Sequence, residues 1–161
     1  EKYMSETYLA IMLQSLKKKE QVLDEIIRLN DLQKKQLTDQ ATPVDDFDKT
    51  VEDKSACIEQ LDQLDSGFEK LYAQVQEELQ VNKEQYADTI RELQKRIRSV
   101  TDKSIMIQAQ EARNKDLMMQ KFTTVRKHAK DVRANSKAIT GYYKTMTHSG
   151  YMDSRYMDGK K

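Results

Sequence analysis

Glycine and proline, the residues that most often end helices, are both absent from residues 68–140 of this sequence. After Gly67 the next glycine is Gly141, and the sole proline among the 161 residues is Pro43. Nothing between residues 68 and 140 therefore removes a backbone donor or favours left-handed dihedral angles. A single helix of that length would measure roughly 110 Å, whereas a compact domain of this size has a radius of gyration of about 15 Å. The stretch must either break without a glycine or project beyond its bundle, where it would offer a face to a partner.

The composition favours long helices over a deep globular core. Charged residues make up 34% of the chain and hydrophobic ones 37%, there is no tryptophan, and the mean hydropathy is −0.88. Such a balance is typical of helices that each bury one stripe. No apolar run approaches the roughly 20 residues that span a bilayer, so membrane insertion is not expected. The lone Cys57 and the lack of a secretory leader favour a reducing cytoplasm.

The spacing of apolar residues predicts an all-α, antiparallel bundle of three long helices in a single domain. The first helix is expected over residues 5–38, with Ser5 as its N-cap. It carries two adjacent stripes, which indicates that it contacts two neighbours. A loop at residues 38–46 contains Pro43, and the second helix follows over residues 46–80. The stripes of the first helix are Leu9, Leu13, Leu16, Leu23, Ile27 and Leu37, and Met12, Val22, Ile26 and Leu29.

Two interruptions are expected after the loop. The second helix is predicted to kink or break near residues 65–67, because a glycine inside a helix costs about 1 kcal/mol relative to alanine and Asp and Ser prefer caps. A turn is predicted near residues 80–82, since Asn82 followed by Gln85 has the form of a weak capping box. The third helix would then run over residues 82–139.

The third helix is predicted to be the longest and to lose its regular seam halfway. Apolar residues recur at helical spacing as far as Ile107, after which the same frame meets Glu111, Asn114, Lys121 and His128. Either the helix kinks there or its partner changes. With about 55 residues, it would outreach its neighbour by about 30 Å. The remaining residues 141–161 form a Tyr- and Met-rich tail that is expected to be irregular and to occupy this chain's own partner-binding face until a partner displaces it.

The charges are unevenly distributed along the chain. Residues 45–79 contain eleven Asp and Glu but three Lys and Arg, whereas residues 91–161 contain seventeen Lys and Arg but seven Asp and Glu. One interpretation is that the two segments lie side by side and neutralise each other. The other is a basic surface for an acidic partner or a nucleic acid.

The sequence carries no recognisable catalytic constellation. His128 and His148 are far apart, Cys57 has no adjacent base, and phosphate-binding and nucleophile motifs are missing. No enzyme activity, cofactor or metal is therefore expected. The basic stretch 121–137 lacks interleaved aromatic residues and is interrupted by Asp131, which argues against nucleic-acid binding.

A cluster of apolar residues in the third helix is the candidate binding site. Its members are distributed around the helix, so some should remain outside the bundle interface. Methionine side chains suit surfaces that accept varied apolar helices. Ordinary packing against a dimer partner or the tail is the alternative. The candidate client-binding residues are Ile105, Ile107, Ala109, Asn114, Leu117, Met118, Met119, Phe122 and Val125.

One segment of this helix resembles a known family. Residues 107–118, IQAQEARNKDLM, are similar to the last helix of flagellar type III secretion chaperones of the FlgN and FliT type, in which an apolar stripe surrounds an Arg-Asn pair. The matching positions are Ile107, Ala109, Arg113, Asn114, Leu117 and Met118. The closing GYMDSRYMDGKK and the order of the helices also resemble this family, whereas the segment DSGFEKLYAQVQEEL departs from its pattern.

The resemblance implies a cytoplasmic export chaperone. Such proteins bind helical C-terminal segments of hook-associated or filament cap proteins, prevent their premature assembly and deliver them to a component of the export apparatus. The departure in the second region leaves the client's identity open. The competing interpretation is a structural coiled-coil or adaptor protein that self-associates, for example as a homodimer, and has no export role.

Overall fold

The described part of the chain forms three long helices, of which the second runs antiparallel to the other two, and the first and third run parallel to each other. The computed structural model describes the backbone of residues 2–125 and the side chains of residues 4–121. Helix α1 spans Lys2–Thr38, α2 spans Val44–Val81 and α3 spans Ala87–Val125. The predicted all-α bundle of three helices is confirmed. The predicted course of the last helix to residue 139 and the tail at 141–161 lie outside the described residues.

Helix α1 is the central element of the bundle. Its backbone packs against both α2 and α3, whereas no Cα atom of α2 comes within 8 Å of one in α3 in the described part of the chain. The two stripes read from the sequence explain this arrangement, because each faces a different neighbour. The buried apolar residues of α1 are Leu9, Met12, Leu16, Val22, Leu23, Ile26 and Leu29.

Helix α2 continues through the position where the sequence predicted a break. It is helical on both sides of Gly67 and across it, so the expected interruption at residues 65–67 is wrong. Asp65 is buried and forms an ion pair with Lys19 of α1 instead of capping a helix end. Phe68 is 4% exposed in the core. These tertiary contacts outweigh the modest helical cost of one glycine.

The α2–α3 turn differs in detail from the predicted capping box. Helix α2 ends at Val81, one residue from the expected boundary, but α3 begins only at Ala87. Asn82 closes α2 rather than opening α3: its N–H donates to the carbonyl of Glu78 at 2.9 Å. Its own carbonyl accepts from the backbone N–H of Gln85 at 3.1 Å and of Tyr86 at 3.3 Å. The backbone of Asn82, not its side chain, therefore organises the turn.

A small polar cluster joins α1 and α2 to this turn. The hydroxyl of Tyr86 donates to Glu78 Oε1 at 2.8 Å, and Ser5 Oγ donates to Glu78 Oε2. The hydrogen bonds from Ser5 and then Tyr86 lower the pKa of Glu78 below its ordinary value. Ser5 lies inside α1 and is buried, so its prediction as an N-cap is wrong. It serves instead to link α1 to α2.

The basic residues of α3 pair mainly with acidic residues of α1 on their shared flank. Arg96 lies 3.4 Å from Glu20, Lys103 lies 2.5 Å from Asp24, and Arg113 lies 3.8 Å from Asp31. The expectation that acidic α2 would neutralise α3 is therefore not what the described residues show. Between α2 and α3, the ion pair of Lys54 with Glu111 has the opposite polarity, because the cation lies on α2 and the carboxylate on α3.

The helical register gives a direct stability prediction at Gly67. A Cβ added there would have no heavy atom within 4 Å. The substitution Gly67→Ala should therefore raise the free energy of unfolding by about 0.5–1 kcal/mol, because alanine has the higher helix propensity. Urea unfolding measures this change. As a control, Ala73→Gly, at an exposed position of the same helix, should lower the free energy of unfolding by a similar amount. If Gly67→Ala lowered the free energy of unfolding instead, the continuous helix would be contradicted.

Candidate functional site

The second half of α3, where the binding site is predicted, has an outer and an inner face. Of the candidate residues, Ile105, Ala109 and Met119 are exposed, Leu117 is half-buried, and the side chains of Phe122 and Val125 lie outside the described residues. Ile107, Asn114 and Met118 are 1%, 1% and 3% exposed. The residues that the sequence grouped into one cluster therefore serve two different environments.

The outer face presents an apolar stripe to solvent. Ile105 is 59% exposed, Met106 is 52% exposed and Met119 is 54% exposed, and Ala109 and Ala112 are also exposed. Residues 105, 112 and 119 are seven apart, so they recur at the heptad spacing by which one helix packs along another. We call Ile105, Met106, Ala109, Ala112 and Met119 the outer stripe. Its spacing suits contact with a second helix.

The inner face continues the seam that the apolar pattern loses at Ile107. The helical spacing of alternately four and three residues continues through polar as well as apolar positions, at residues 107, 111, 114, 118 and 121. Lys121 donates to the carbonyl of Gln36 at 3.3 Å. The prediction that the seam fails at Ile107 is therefore wrong, and α3 lies beside α1 as far as Lys121. The overhang predicted to begin in this region does not occur there.

The Arg-Asn pair of the family resemblance faces α1. Asn114 Nδ2 donates to the carbonyl of Asn30 at 2.9 Å, and Arg113 Nε donates to Asn114 Oδ1 at 3.3 Å. Arg113 also approaches Asp31. In this structure, the pair fixes the position of α3 on α1 and so holds the outer stripe on the opposite side of the helix.

A buried polar layer surrounds these contacts. Asn30 Nδ2 donates to Gln110 Oε1 at 3.2 Å, and Gln110 Nε2 donates to Asp31 Oδ1 at 3.2 Å. From α2, Thr50 Oγ1 donates to Gln36 Oε1 at 3.3 Å. We define the polar layer as Asn30, Gln33, Gln36, Thr50, Lys54, Gln110, Glu111 and Asn114, all of which are buried.

Lys54 is the centre of the polar layer. Its Nζ lies 2.6 Å from Glu111 Oε1 and donates to Gln33 Oε1 at 2.8 Å, and the residue is 1% exposed. Burial lowers the pKa of Lys54 from 10.5 to about 8, although the charge of Glu111 and its hydrogen bond act in the opposite direction. The free energy lost by desolvating the ammonium therefore exceeds the stabilisation that the ion pair provides.

The apolar periodicity of the sequence does not reveal the polar layer. Lys54 and Glu111 belong to the residue types that are least often buried, and only their shared position in the heptad frame indicates that they face inward. The one cysteine, Cys57, is a buried free thiol, and burial raises its pKa. In residues 2–125, no group of three or more potential ligands is placed to hold a metal ion.

Comparisons with family models, curated proteins and solved structures find no match to this chain. Among the described residues, no helix is long and apolar enough to cross a membrane. The fold and site therefore define a three-helix bundle with a polar layer at one end and an exposed apolar stripe on its last helix.

The Lys54–Glu111 pair predicts a strongly non-additive mutant cycle. Glu111→Leu alone should lower the free energy of unfolding by about 3–5 kcal/mol, because it leaves the Lys54 ammonium buried without its carboxylate. Lys54→Met with Glu111→Leu should be neutral or more stable than the parent by about 1–4 kcal/mol. Urea unfolding of the parent, both single variants and the double variant measures the cycle. A double variant as unstable as the sum of its singles would contradict it.

The lowered pKa of Lys54 predicts a stability difference that depends on pH. Between pH 8 and 10.5 the unfolded chain binds more protons at Lys54 than the folded chain does. The stability of the parent relative to the double variant Lys54→Met with Glu111→Leu, which has neither buried charge, is therefore lowest below pH 8 and rises with pH through this window. The change should reach up to about 3 kcal/mol. Urea unfolding of both proteins at pH 7 and pH 10 tests it, and a constant difference would contradict the prediction.

Proposed function

We propose that this chain is a cytoplasmic flagellar export chaperone of the FlgN or FliT type, which binds the helical C-terminal segment of a hook-associated or filament cap protein. The observation that carries the proposal is the outer stripe. Ile105, Met106 and Met119 are each more than half exposed, and their helical spacing matches the apolar face of an amphipathic partner helix. The resemblance of residues 107–118 to the last helix of these chaperones supports this choice of client class.

The proposed mechanism is occupation of the client's own assembly surface. An amphipathic client helix lies along α3 with its apolar face on the outer stripe, so that surface is no longer available to other client molecules. Met106 and Met119 have unbranched side chains that adjust to different client side chains. The complex then passes the client to a component of the export apparatus. No catalytic step is part of this proposal.

A test replaces two exposed apolar residues with charged ones. Ile105→Glu together with Met119→Glu should weaken binding at least about tenfold, because each change removes apolar area worth about 1.5–3 kcal/mol when buried. Isothermal titration uses purified C-terminal segments of the hook-associated and filament cap proteins from the organism that encodes this chain. Circular dichroism checks that helicity is retained.

The chain offers a matched control for this pair. Met4 and Ile11 of α1 are 56% and 47% exposed, so Met4→Glu with Ile11→Glu introduces the same charges at equally exposed positions. The control should bind the segments as the parent does. Unchanged affinity in the α3 variant, or equal losses in both variants, would rule out the outer stripe as the client site.

Self-association is the second candidate, and the same stripe favours it. Residues 105, 112 and 119 could pair with their counterparts in another copy, as in a structural coiled coil. Sedimentation without a client separates the two. A stable elongated dimer that Ile105→Glu with Met119→Glu dissociates would favour the structural or adaptor role, whereas a monomer that binds a client segment supports the chaperone.

A further inference from the structure

The first turns of α2 contribute no fully buried apolar side chain to the bundle. Among residues 44–54, all described by the structure, Thr50 and Lys54 are the buried ones. Val44 is 53% exposed, and Phe47 and Val51 are half-buried. From residue 57 onward the same helix does bury apolar side chains, namely Cys57, Ile58, Leu61, Phe68 and Val75.

Hydrogen bonds with two glutamines of α1 hold this segment in place. Gln36 Nε2 donates to the carbonyl of Asp46 at 3.4 Å, and Gln33 Nε2 donates to Thr50 Oγ1 at 3.2 Å. Lys54 adds its contacts with Gln33 and Glu111. When polar groups separate, they form hydrogen bonds with water in place of those they lose, whereas exposing apolar side chains to water has no such compensation. Opening this end therefore costs less than opening the apolar half of the bundle.

The connection to α1 allows the segment to separate as a unit. Residues 39–43 form the loop that precedes it, and Pro43 at the N-cap makes no side-chain capping hydrogen bond. We propose that Val44–Lys54 is a displaceable strap, and that a partner helix carrying a lysine or arginine takes its place against Glu111, Gln33 and Gln36. This inference rests on the proposed function, since the partner helix is a further segment of the client whose other helix lies on the outer stripe.

The chemistry of the partner follows from the groups that the strap would leave behind. Glu111 is 4% exposed, and a carboxylate so enclosed requires a cation close by. Gln33 and Gln36 contact Thr50, one helical turn before Lys54. The replacing helix therefore carries Ser or Thr four residues before Lys or Arg, so that it repeats the pattern of Thr50 and Lys54. A wholly apolar helix would leave the carboxylate buried without a charge partner.

Hydrogen exchange on the full chain tests the strap itself. Amides of residues 44–54 should exchange at least about tenfold faster than amides of residues 57–75 in the same helix, because the strap opens without the rest of α2. Mass spectrometry of peptic fragments at neutral pH resolves the two segments. Equal protection along the whole helix would overturn the proposal.

A peptide tests the chemistry of the partner. The probe is a labelled peptide with the sequence of residues 44–61, and the receptor is the full chain with Lys54→Ala, whose own strap lacks the cation for Glu111. The peptide should bind, and the same peptide with Lys54→Met should bind at least about tenfold more weakly. Failure of both peptides to bind, or equal binding, would overturn the requirement for a cation.

Two features keep these outcomes distinct from those of the proposed function. Neither the hydrogen exchange nor the peptide experiment uses a client. The strap proposal can therefore be contradicted while client binding to the outer stripe is confirmed, and client binding can be contradicted while the strap is confirmed. Size-exclusion chromatography of the parent provides the remaining check. A dimer that exchanges straps between two copies would overturn the assignment to a partner helix, whereas a monomer with a rapidly exchanging strap supports it.

Discussion

Packing on two sides of α1 is the constraint on which the rest of the structure depends. Helix α1 carries one stripe for α2 and another for α3, whereas the backbones of α2 and α3 stay apart in the described part of the chain. The bundle is thus organised around one helix rather than around three equivalent interfaces. A change in the rotation of α1 would alter both interfaces together. As far as Leu29, the buried residues of α1 are apolar except for Ser5 and Lys19.

Beyond Leu29 the same helix has a different interior. Asn30, Gln33 and Gln36 replace aliphatic residues at buried positions, and they bond to groups on both α2 and α3. Buried amides and ion pairs add little net stability, but they penalise alternative pairings in which their partners are missing. The polar layer therefore fixes the register of the helices at one end, while the apolar half supplies most of the driving force for folding.

The sequence predicts the framework of this fold better than its details. Apolar spacing locates three helices and the double-sided role of α1, because burial of aliphatic stripes drives both. The same spacing misplaces the end of the α3 seam, since Glu111 and Asn114 occupy buried heptad positions with polar side chains. It also predicts a break at Gly67, where the contacts of Asp65 and Phe68 outweigh local preference. Exposure of Ile105 and Met119, as opposed to Ile107 and Met118, depends on how α3 is rotated.

The pairing of α3 with α1 has an electrostatic consequence for the whole molecule. Because Arg96 and Lys103 are engaged by carboxylates of α1, they are not available to offset the acidic residues of α2, most of which are exposed. One flank of the bundle is therefore negative although the full chain has a net charge of only +1. Such a polarised molecule turns in the field of a charged partner before contact is made. This orienting effect reaches about 10 Å at 0.1 M ionic strength and weakens as salt is added.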